Sequence, residues 1–491
     1  MNNHLIPEDL SDAGNSKVFA TEYTNRFLYS KHDGWLYWDG KAWVYGEMAV
    51  IAAAKDLTER IELEAQLLFA VNSNDPEIKA LVKHARASRN KGRLMALIDL
   101  AKPELFIESD KLDAHPHLLN TPDGIVDLRT GIVHPHEPTA YCTKITKFGP
   151  TLNANSMAMW LDFLNMIACG DSDLVEFLQE FSGMVLIGKV YSENLIIAYG
   201  TGANGKSTFF NALAAVLGHY AGLIAADTLM SGRNKGRFEL STMKNKRFLL
   251  ASELEEGRVL SSSVLKQLTS TDEILVEKKY FDPENIVPKH TIVLFTNHLP
   301  KIASTDHGTL RRLIAVPFNA VIPDSQKIMN FTDILVGSAG SAIMSWAIEG
   351  AVKFVANEHK LHIPACVQNA TAHYHADNDW LKDFLDDLCL IDPSYSIRAG
   401  ELYDAYKSRT EKSKEFVRDG RGFAKELQSR GFVSKRTNRG NVWLGLSLTT
   451  HIRAMQLSAP QTNGHISHTP LTSGDGNYIS PLSTESEGAT S

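Results

Sequence analysis

The chain has 491 residues, of which 43% are hydrophobic and 22% are charged, and its formal net charge is −7. These proportions exclude a largely disordered chain, a coiled coil and a collagen-like fibre. The sequence shows no apolar run near the ~20 residues that span a bilayer and no leader-like start, so we expect no contact with a membrane. Its four cysteines form no CxxC pair, which favours a reducing compartment. The acidic balance by itself argues against nucleic acid as the first partner to expect.

The N-terminal part, residues 1–150, predicts an α+β domain. Residues 17–46 alternate apolar, aromatic and turn residues, with hairpin turns expected at Asp33-Gly34 and Asp39-Gly40. Residues 47–106 are rich in alanine and leucine at helical spacing. A small sheet and a set of helices are therefore expected to share this domain.

The remaining sequence predicts four further parts. Residues 151–330 begin with a helical pattern and then alternate short apolar strands with helices and loops, which predicts an α/β domain. A helical connection is expected over 331–375 and a small basic domain over 376–450. Residues 451–491 are rich in serine, threonine, glycine and proline, which predicts a disordered tail.

The strongest motif is a glycine-rich loop of the pattern GxxxxGK[ST], between a buried-strand pattern and a helical pattern. Glycines let backbone N–H groups turn inward around phosphate oxygens at the N-terminus of a helix. In such a loop the lysine neutralises the β- and γ-phosphates and the hydroxyl ligates Mg²⁺, so Lys206 and Ser207 receive these roles. We therefore predict ATP and Mg²⁺ as cofactors. The predicted nucleotide-binding residues are Gly200, Thr201, Gly202, Ala203, Asn204, Gly205, Lys206, Ser207 and Thr208.

Polar side chains follow two further predicted strands. A P-loop ATPase needs a carboxylate at the end of a neighbouring strand to hold Mg²⁺, and a second acid can polarise the attacking water. Glu253 is the first choice for the metal, while the division of the two roles between Glu253 and Glu255 stays open. Asn297 ends the next apolar segment, where its amide can hold the attacking water against the γ-phosphate; an asparagine that only makes a turn is the alternative.

Two arginines, Arg311 and Arg312, precede the last predicted strand of this domain. They fit an arginine finger, a side chain that stabilises charge on the phosphoryl group of a neighbouring subunit's ATP. Either arginine suits the role, and a surface charge pair is the alternative.

These motifs, in this order, resemble those of the superfamily 3 helicases, in particular the phage, plasmid and poxvirus primase-helicase group. The similarity covers roughly residues 20 to 320. The segments that carry it are residues 119–131, 200–207, 251–257, 265–272, 295–300 and 310–318.

The resemblance implies an α/β fold with a P-loop AAA+-like ATPase domain that assembles as a homo-hexameric ring. Single-stranded DNA would be drawn through the pore, 3′ to 5′, during DNA replication of a phage or mobile element in the cytoplasm of a bacterial host cell. Forked DNA would be a substrate, and a separate primase or replication initiator a partner. In this superfamily a hairpin carries a basic residue into the pore, and here Lys278 and Lys279 occupy that segment; a solvated hairpin edge is the alternative. No paired-aspartate polymerase motif is evident, so priming activity on this chain is not expected.

The basic C-terminal part resembles a winged helix. Residues 396–443 contain 12 lysines and arginines but 6 acidic residues, a balance of +6. Helices are expected from Asp379, over 397–406 and over 421–430, and a hairpin follows them. Arg421 and Lys425 share a helix face that suits the major groove, and Arg436 and Arg439 of the hairpin would contact phosphates. A winged helix that binds a protein instead of DNA is the alternative.

Three function classes compete. The first is a replicative ring helicase, and the second is a DNA-binding replication initiator or defence ATPase that does not unwind processively. The third is a small-molecule kinase, against which the basic hairpin, the paired arginines and the winged-helix-like domain argue.

Overall fold

The protein is described by a computed structural model, and its described residues fall into two compact units that divide between Asp379 and Trp380. The residues that the structure describes are 5–151, 154–231, 242–252, 254, 257–276, 284–302, 306–413, 417–438 and 440–450.

The N-terminal part of the first unit combines helices with two small antiparallel sheets. Hairpin turns lie at the two predicted Asp-Gly positions, whereas the first residues of the 17–46 segment belong to a helix, whose Phe19 is fully buried. The helices are α1 (Asp12–Glu22), α2 (Glu47–Val71), α3 (Pro76–Ser88) and α4 (Lys91–Ala101). The strands are β1 (Phe27–Ser30), β2 (Gly34–Trp38) and β3 (Trp43–Tyr45) in one sheet, and β4 (Leu118–Thr121), β5 (Gly124–Asp127) and β6 (Ile132–His134) in the other.

A five-stranded parallel sheet forms the centre of the first unit within its described residues. The strands that follow in the chain are β7 (Leu195–Tyr199), β8 (Ala221–Ala225), β9 (Phe248–Ser252), β10 (Val259–Leu260), β11 (Ile274–Val276), β12 (Glu284–Ile286), β13 (Thr291–Thr296), β14 (Lys301–Ile302) and β15 (Leu313–Pro317). The parallel sheet has the order β15-β7-β13-β9-β8. Its middle strands are buried apolar runs, as expected for a parallel sheet covered on both faces. The predicted mixed α/β class with a parallel sheet is therefore confirmed.

Helices pack on both sides of this sheet and supply most of the core. They are α5 (Ala154–Ile167), α6 (Ser172–Met184), α7 (Lys206–Leu217), α8 (Ser262–Thr269), α9 (His307–Leu310), α10 (Phe331–Ala356) and α11 (Ala365–Asp377). The segment expected to be a connection contains α10, a 26-residue helix with 14 buried residues that packs against α5, α6 and α7. Its length and apolar composition would also suit a membrane span, but those apolar side chains lie in the core of this unit.

The contact between α6 and α10 depends on glycine at both partners. A Cβ on Gly183 would lie 2.0 Å from the backbone nitrogen of Ala351, and one on Gly350 would lie 2.0 Å from the carbonyl oxygen of Gln179. The two helix backbones can therefore approach closely only because these positions carry no side chain.

Within its described residues, the second unit contains three helices and a three-stranded antiparallel sheet. Its elements are α12 (Trp380–Leu388), β16 (Cys389–Arg398), α13 (Ala399–Lys412), α14 (Gly420–Ser429), β17 (Val433–Thr437) and β18 (Gly440–Leu448), with the strand order β16-β18-β17. The prediction that Ile397 begins a helix is wrong. Ile397 pairs with Trp443 of β18, and the helix begins two residues later.

Candidate active site

The glycine-rich loop connects strand β7, which lies between β15 and β13 in the sheet, to helix α7. A Cβ on Gly200 would lie 2.3 Å from both the Asn204 side-chain nitrogen and the Phe318 carbonyl oxygen. A Cβ on Gly205 would lie 2.3 Å from Cγ2 of Ile167 on α5. Both glycines are therefore required by neighbouring atoms, in addition to any requirement of a ligand.

The loop is curled and held in place by the chain that follows β15. Gly202, Ala203 and Gly205 have φ angles of 89°, 48° and 79°, so the backbone turns sharply through the loop. Successive N–H groups in such turns can form concave nests that bind anions. Asn204 Nδ2 donates to the Phe318 carbonyl at 3.0 Å, and the Ile322 N–H donates to the Ala203 carbonyl at 2.9 Å. Sequence reasoning missed these two anchors, because main-chain partners more than 100 positions away leave no motif.

Lys206 and Asn297, which are 91 positions apart, meet at the carboxyl edge of the sheet. Lys206 is 4% exposed, and its Nζ donates to Asn297 Oδ1 at 2.8 Å and to the Gly200 carbonyl at 3.2 Å. Burial lowers the pKa of Lys206. The contact follows from the parallel register, which pairs Tyr199 with Thr296, one residue before Asn297. Ser207, in the first turn of α7, is exposed at the mouth of the loop.

Several predicted site residues lie outside the described part of the chain. Strand β9 ends at Ser252, which pairs with Phe295, but Glu253 and Glu255 are not among the described residues. In the part that is described, no three His, Cys, Asp or Glu side chains are grouped so as to hold a metal ion.

Three residues predicted to contact DNA are also outside the described residues. Strands β11 and β12 form an antiparallel pair, but Lys278 and Lys279 between them are undescribed, as is Arg439. The roles of these residues stay predictions.

The two arginines lie at the opposite edge of the sheet from the loop. They precede β15, which runs parallel to β7 with Leu313 paired to Leu195, so about 17 Å of strand separates them from the carboxyl edge. Both donate to Oε2 of Glu193, at 3.1 Å from Arg311 and 2.6 Å from Arg312. The side chain of Arg311 is 55% exposed, whereas that of Arg312 is 10% exposed and also donates to the Gly308 carbonyl. The structure therefore does not bring either arginine to the loop of its own chain.

Glu193 is a partner of both predicted arginines that sequence reasoning missed. It lies in the loop before β7, where an acidic residue carries no periodicity or motif that would distinguish it. Its position beside β15 and its two arginine partners become evident only once β7 and β15 are paired.

The predicted basic residues of the second unit that the structure describes, Arg421, Lys425 and Arg436, lie on its surface. Arg421 and Lys425 are exposed on α14, while Phe423 and Leu427 of the same helix are buried. Strand β17 is exposed along its whole length, and Arg436 lies within it, paired with Asn441.

Comparison with known proteins gives two family matches. A family described as "D5 N terminal like" matches residues 16–169, and one described as "Family of unknown function (DUF5906)" matches residues 198–312. The second match contains the glycine-rich loop, Asn297 and both arginines. Neither match extends over half of the chain.

The similar curated proteins come from large DNA viruses. A "Putative helicase" of Acanthamoeba polyphaga mimivirus is 25% identical over 233 residues, which cover 46% of this chain and 24% of that protein. A "Putative helicase" of Invertebrate iridescent virus 6 is 23% identical over 363 residues, covering 66% of this chain and 37% of that protein. A "Putative primase" of African swine fever virus is 25% identical over 234 residues, with coverages of 46% and 24%. The chain thus spans between about a quarter and somewhat over a third of the length of these relatives.

Among solved structures, the C-terminal region of NrS-1 is similar to this chain, with a TM-score of 0.46 and 10% sequence identity over 89% of this chain and 99% of that one. Taken together, the family and sequence matches support a relationship with viral primase-helicase proteins.

Proposed function

We propose that this chain is the ATP-driven motor of a DNA replication helicase of the superfamily 3 kind. The observation that carries the proposal is the meeting of Lys206 and Asn297 beside a curled loop, at the carboxyl ends of adjacent parallel strands. Open α/β sheets bind their ligands beyond the carboxyl ends of the strands. The binding crevice lies where successive connections leave toward opposite sides of the sheet. The names of the viral relatives, helicase and primase, support the same assignment.

In this proposal the triphosphate of ATP binds to residues 200–208. Lys206 would exchange its contacts with Asn297 and the Gly200 carbonyl for the β- and γ-phosphates, and Asn297 would then be free to orient the attacking water. Ser207 and Glu253 would hold Mg²⁺, which neutralises developing charge on the phosphates. The exposed Ser207 hydroxyl suits this role, since a hard cation takes oxygen ligands.

The position of the arginines supports an active site shared between subunits. The ~17 Å of strand between Arg311 and the carboxyl edge prevents it from reaching ATP bound to its own chain. In a closed ring with head-to-tail contacts, that edge of one subunit can face the loop of the next. We propose Arg311 as the finger because its guanidinium is largely exposed, and we assign the buried Arg312 to holding Glu193 in place.

The proposed DNA contacts are of two kinds. Lys278 and Lys279 would contact the single strand in the pore of a hexamer that moves 3′ to 5′. The exposed face of α14 and the exposed strand β17 would bind duplex DNA next to the fork, through Arg421 and Arg436 among others.

An initiator or defence ATPase without processive unwinding is the second candidate. The basic, exposed helix face of the second unit favours it, because a recognition helix for duplex DNA suits a protein that binds a fixed site.

ATP binding and hydrolysis by two variants test the proposed motor. Lys206→Ala should lose ATP binding because it removes the positive charge that is proposed to neutralise the phosphates. Asn297→Ala should still bind ATP but hydrolyse it about 100-fold more slowly, the usual loss on removing one aligned polar group. The measurements are ATP titration and DNA-stimulated phosphate release, with Asn165→Ala, at an exposed position of α5, as the matched control. Wild-type hydrolysis by Lys206→Ala would contradict the assignment of the loop.

A further inference from the structure

A cavity of about 560 Å³ lies at the amino edge of the parallel sheet. It is lined by β3, by residues 143–145 and by the segments that precede β8 and β9, and its volume suits a small organic ligand. The glycine-rich loop follows the carboxyl end of β7, so the length of the strands, about 17 Å, separates the loop from this cavity. The cavity is therefore a different site from the one proposed for ATP.

Hydrogen bonds join the walls of this cavity. The Trp43 N–H donates to the Cys142 carbonyl at 2.8 Å, and the His219 N–H donates to the Ile145 carbonyl at 3.2 Å. Lys246 Nζ donates to the carbonyl oxygen of His219 at 2.8 Å. The concave surface is therefore formed before any ligand binds, as is usual for ligand sites.

The carboxylates that line the cavity already have partners within the chain. Asp33 forms an ion pair with Lys244 at 3.2 Å. Asp39 Oδ1 accepts hydrogen bonds from the backbone N–H groups of Lys41 and Ala42, both at 2.7 Å, and so stabilises its own turn. These contacts leave the other lysines of the cavity without an acidic partner from this set.

Two lysines supply the uncompensated charge. Lys144 and Lys246 both line the cavity, and no carboxylate among the described residues forms an ion pair with either. Burial lowers the pKa of Lys246, and the charge of Lys144 lowers it further, so the two ammonium groups repel each other. An anion between them would relieve this repulsion, and a phosphomonoester, whose charge is about −1.5 to −2 at neutral pH, matches two lysines.

An exposed aromatic ring lines the same cavity. Tyr45 is 63% exposed, and its hydroxyl donates to Oε2 of Glu47 at 2.9 Å. The ring also lies against Gly34, where an added Cβ would be 3.4 Å from Cε2 of Tyr45. A ring that is held in position while most of it faces solvent suits the stacking of a nucleic-acid base.

From this combination we infer that the cavity binds a nucleotide that carries a terminal phosphomonoester. The phosphate contacts Lys144 and Lys246, and the base stacks on Tyr45. A free nucleoside monophosphate and the phosphorylated end of a single strand share this chemistry. The inference does not depend on ATP binding at residues 200–208, because none of those residues lines the cavity.

Calorimetric titrations of the full-length chain with thymidine and with thymidine monophosphate, phosphorylated at the 5′ or the 3′ position, test the site. The wild type should bind one of the monophosphates at least about tenfold more tightly than thymidine, the scale of a charge-assisted hydrogen bond. Oligothymidylates with and without the same terminal phosphate identify the source. A tenfold preference for the phosphorylated strand indicates a strand end, whereas equal binding of the two strands indicates a free nucleotide.

Variants assign the binding to this cavity. Lys144→Ala and Lys246→Met should each weaken the monophosphate at least about tenfold, and methionine keeps the half-buried stem of Lys246 in place. Lys147→Ala, at an exposed lysine of the same segment outside the cavity, is the matched control. Tyr45→Ala should weaken binding about fivefold or more, and Tyr45→Phe, which keeps the ring, should bind as the wild type does.

The ATP site provides an independent reference. The variants at Lys144, Lys246 and Tyr45 should hydrolyse ATP at the wild-type rate, and Lys206→Ala should still bind the monophosphate. If neither monophosphate binds better than thymidine, or if Lys206→Ala abolishes its binding while Lys246→Met does not, the inferred site is wrong and the ATP site stands. Normal binding of the monophosphate by a chain that does not hydrolyse ATP would overturn the proposed function alone.

Discussion

Arg311 and Arg312 differ in exposure although they are adjacent, and on this difference rests the proposal that Arg311 is catalytic and Arg312 structural. We expect Arg311→Ala to fold normally and to lose ATP hydrolysis, because it removes the exposed guanidinium proposed to act on a neighbouring subunit. Arg312→Ala should instead lower the free energy of unfolding by about 2 kcal/mol, since it leaves Glu193 and the Gly308 carbonyl without their buried partner. Urea denaturation and ATPase rates on both variants make the comparison.

Mixing inactive variants separates a finger in trans from a role within one chain. Arg311→Ala keeps an intact loop and Lys206→Ala keeps an intact arginine, so mixed assemblies should regain part of the activity. If equimolar mixtures stay as inactive as the separate variants, Arg311 does not complete a neighbour's site.

For single residues, the sequence predicted which residues lie at the candidate site better than it predicted which residues contact them. The loop, Lys206 and Asn297 follow from residue types that end predicted strands, because parallel strands bring such ends to one edge. The contact of Glu193 with the arginines depends on which strands are neighbours. The different roles proposed for Arg311 and Arg312 depend on how deeply each is buried. Neither property is encoded locally, so neither could be read from the sequence.

Among the elements, β4 and the parallel sheet are joined through one buried arginine. Arg247 is 4% exposed, and its guanidinium donates to the carbonyl of Leu118 at 2.7 Å and to that of Leu186, over the ring of Tyr220. Arg247→Ala should lower the free energy of unfolding by about 3 kcal/mol, because two buried carbonyls lose a charged donor. Urea denaturation measures this loss.

The matched control is Arg129→Ala, whose largely exposed side chain pairs with Asp127. Exposed ion pairs contribute little to stability, so this variant should unfold near the wild-type midpoint. Equal effects of the two substitutions would show that Arg247 does not join these elements.

The second unit offers a prediction about duplex DNA. Arg436→Ala on the exposed strand β17 should weaken binding uniformly across sequences and reduce the slope of log affinity against log salt by about 1. Arg421→Ala on α14 should weaken binding in a sequence-dependent way, because a helix in the major groove contacts base edges. Fluorescence anisotropy at several salt concentrations measures both, with Lys407→Ala on α13 as the control. If neither arginine affects duplex binding, this face binds a protein instead.

The prediction of secondary structure failed at β16, because the local sequence pattern of this segment does not reflect its place in the fold. Strand β16 is exposed over most of its length, contains an Asp-Pro pair and has an irregular register between Ile391 and Ser396, so no alternation marked it as a strand. The helical connection predicted over 331–375 contains α10, whose apolar residues cover most of its circumference. A helix that is apolar on all sides is buried on several sides. Helix α10 fits this rule, since it contacts α5, α6 and α7.

For the whole molecule, the net charge of −7 is a poor guide to partners. The +6 balance of residues 396–443 shows that acidic and basic residues are segregated along the chain. The proposed DNA contacts use local charge, and a small number of exposed basic side chains supplies it. The order of motifs was more informative than composition, because it predicted which strand ends would meet.

Strand displacement on forked DNA with a 3′ single-stranded tail tests the central claim most directly. We expect the wild-type chain to separate the strands in the presence of ATP and Mg²⁺ and to leave a fork with only a 5′ tail closed. Lys206→Ala should open neither fork. If the wild-type chain hydrolyses ATP but opens neither fork, the helicase assignment is contradicted and an initiator or defence ATPase is favoured.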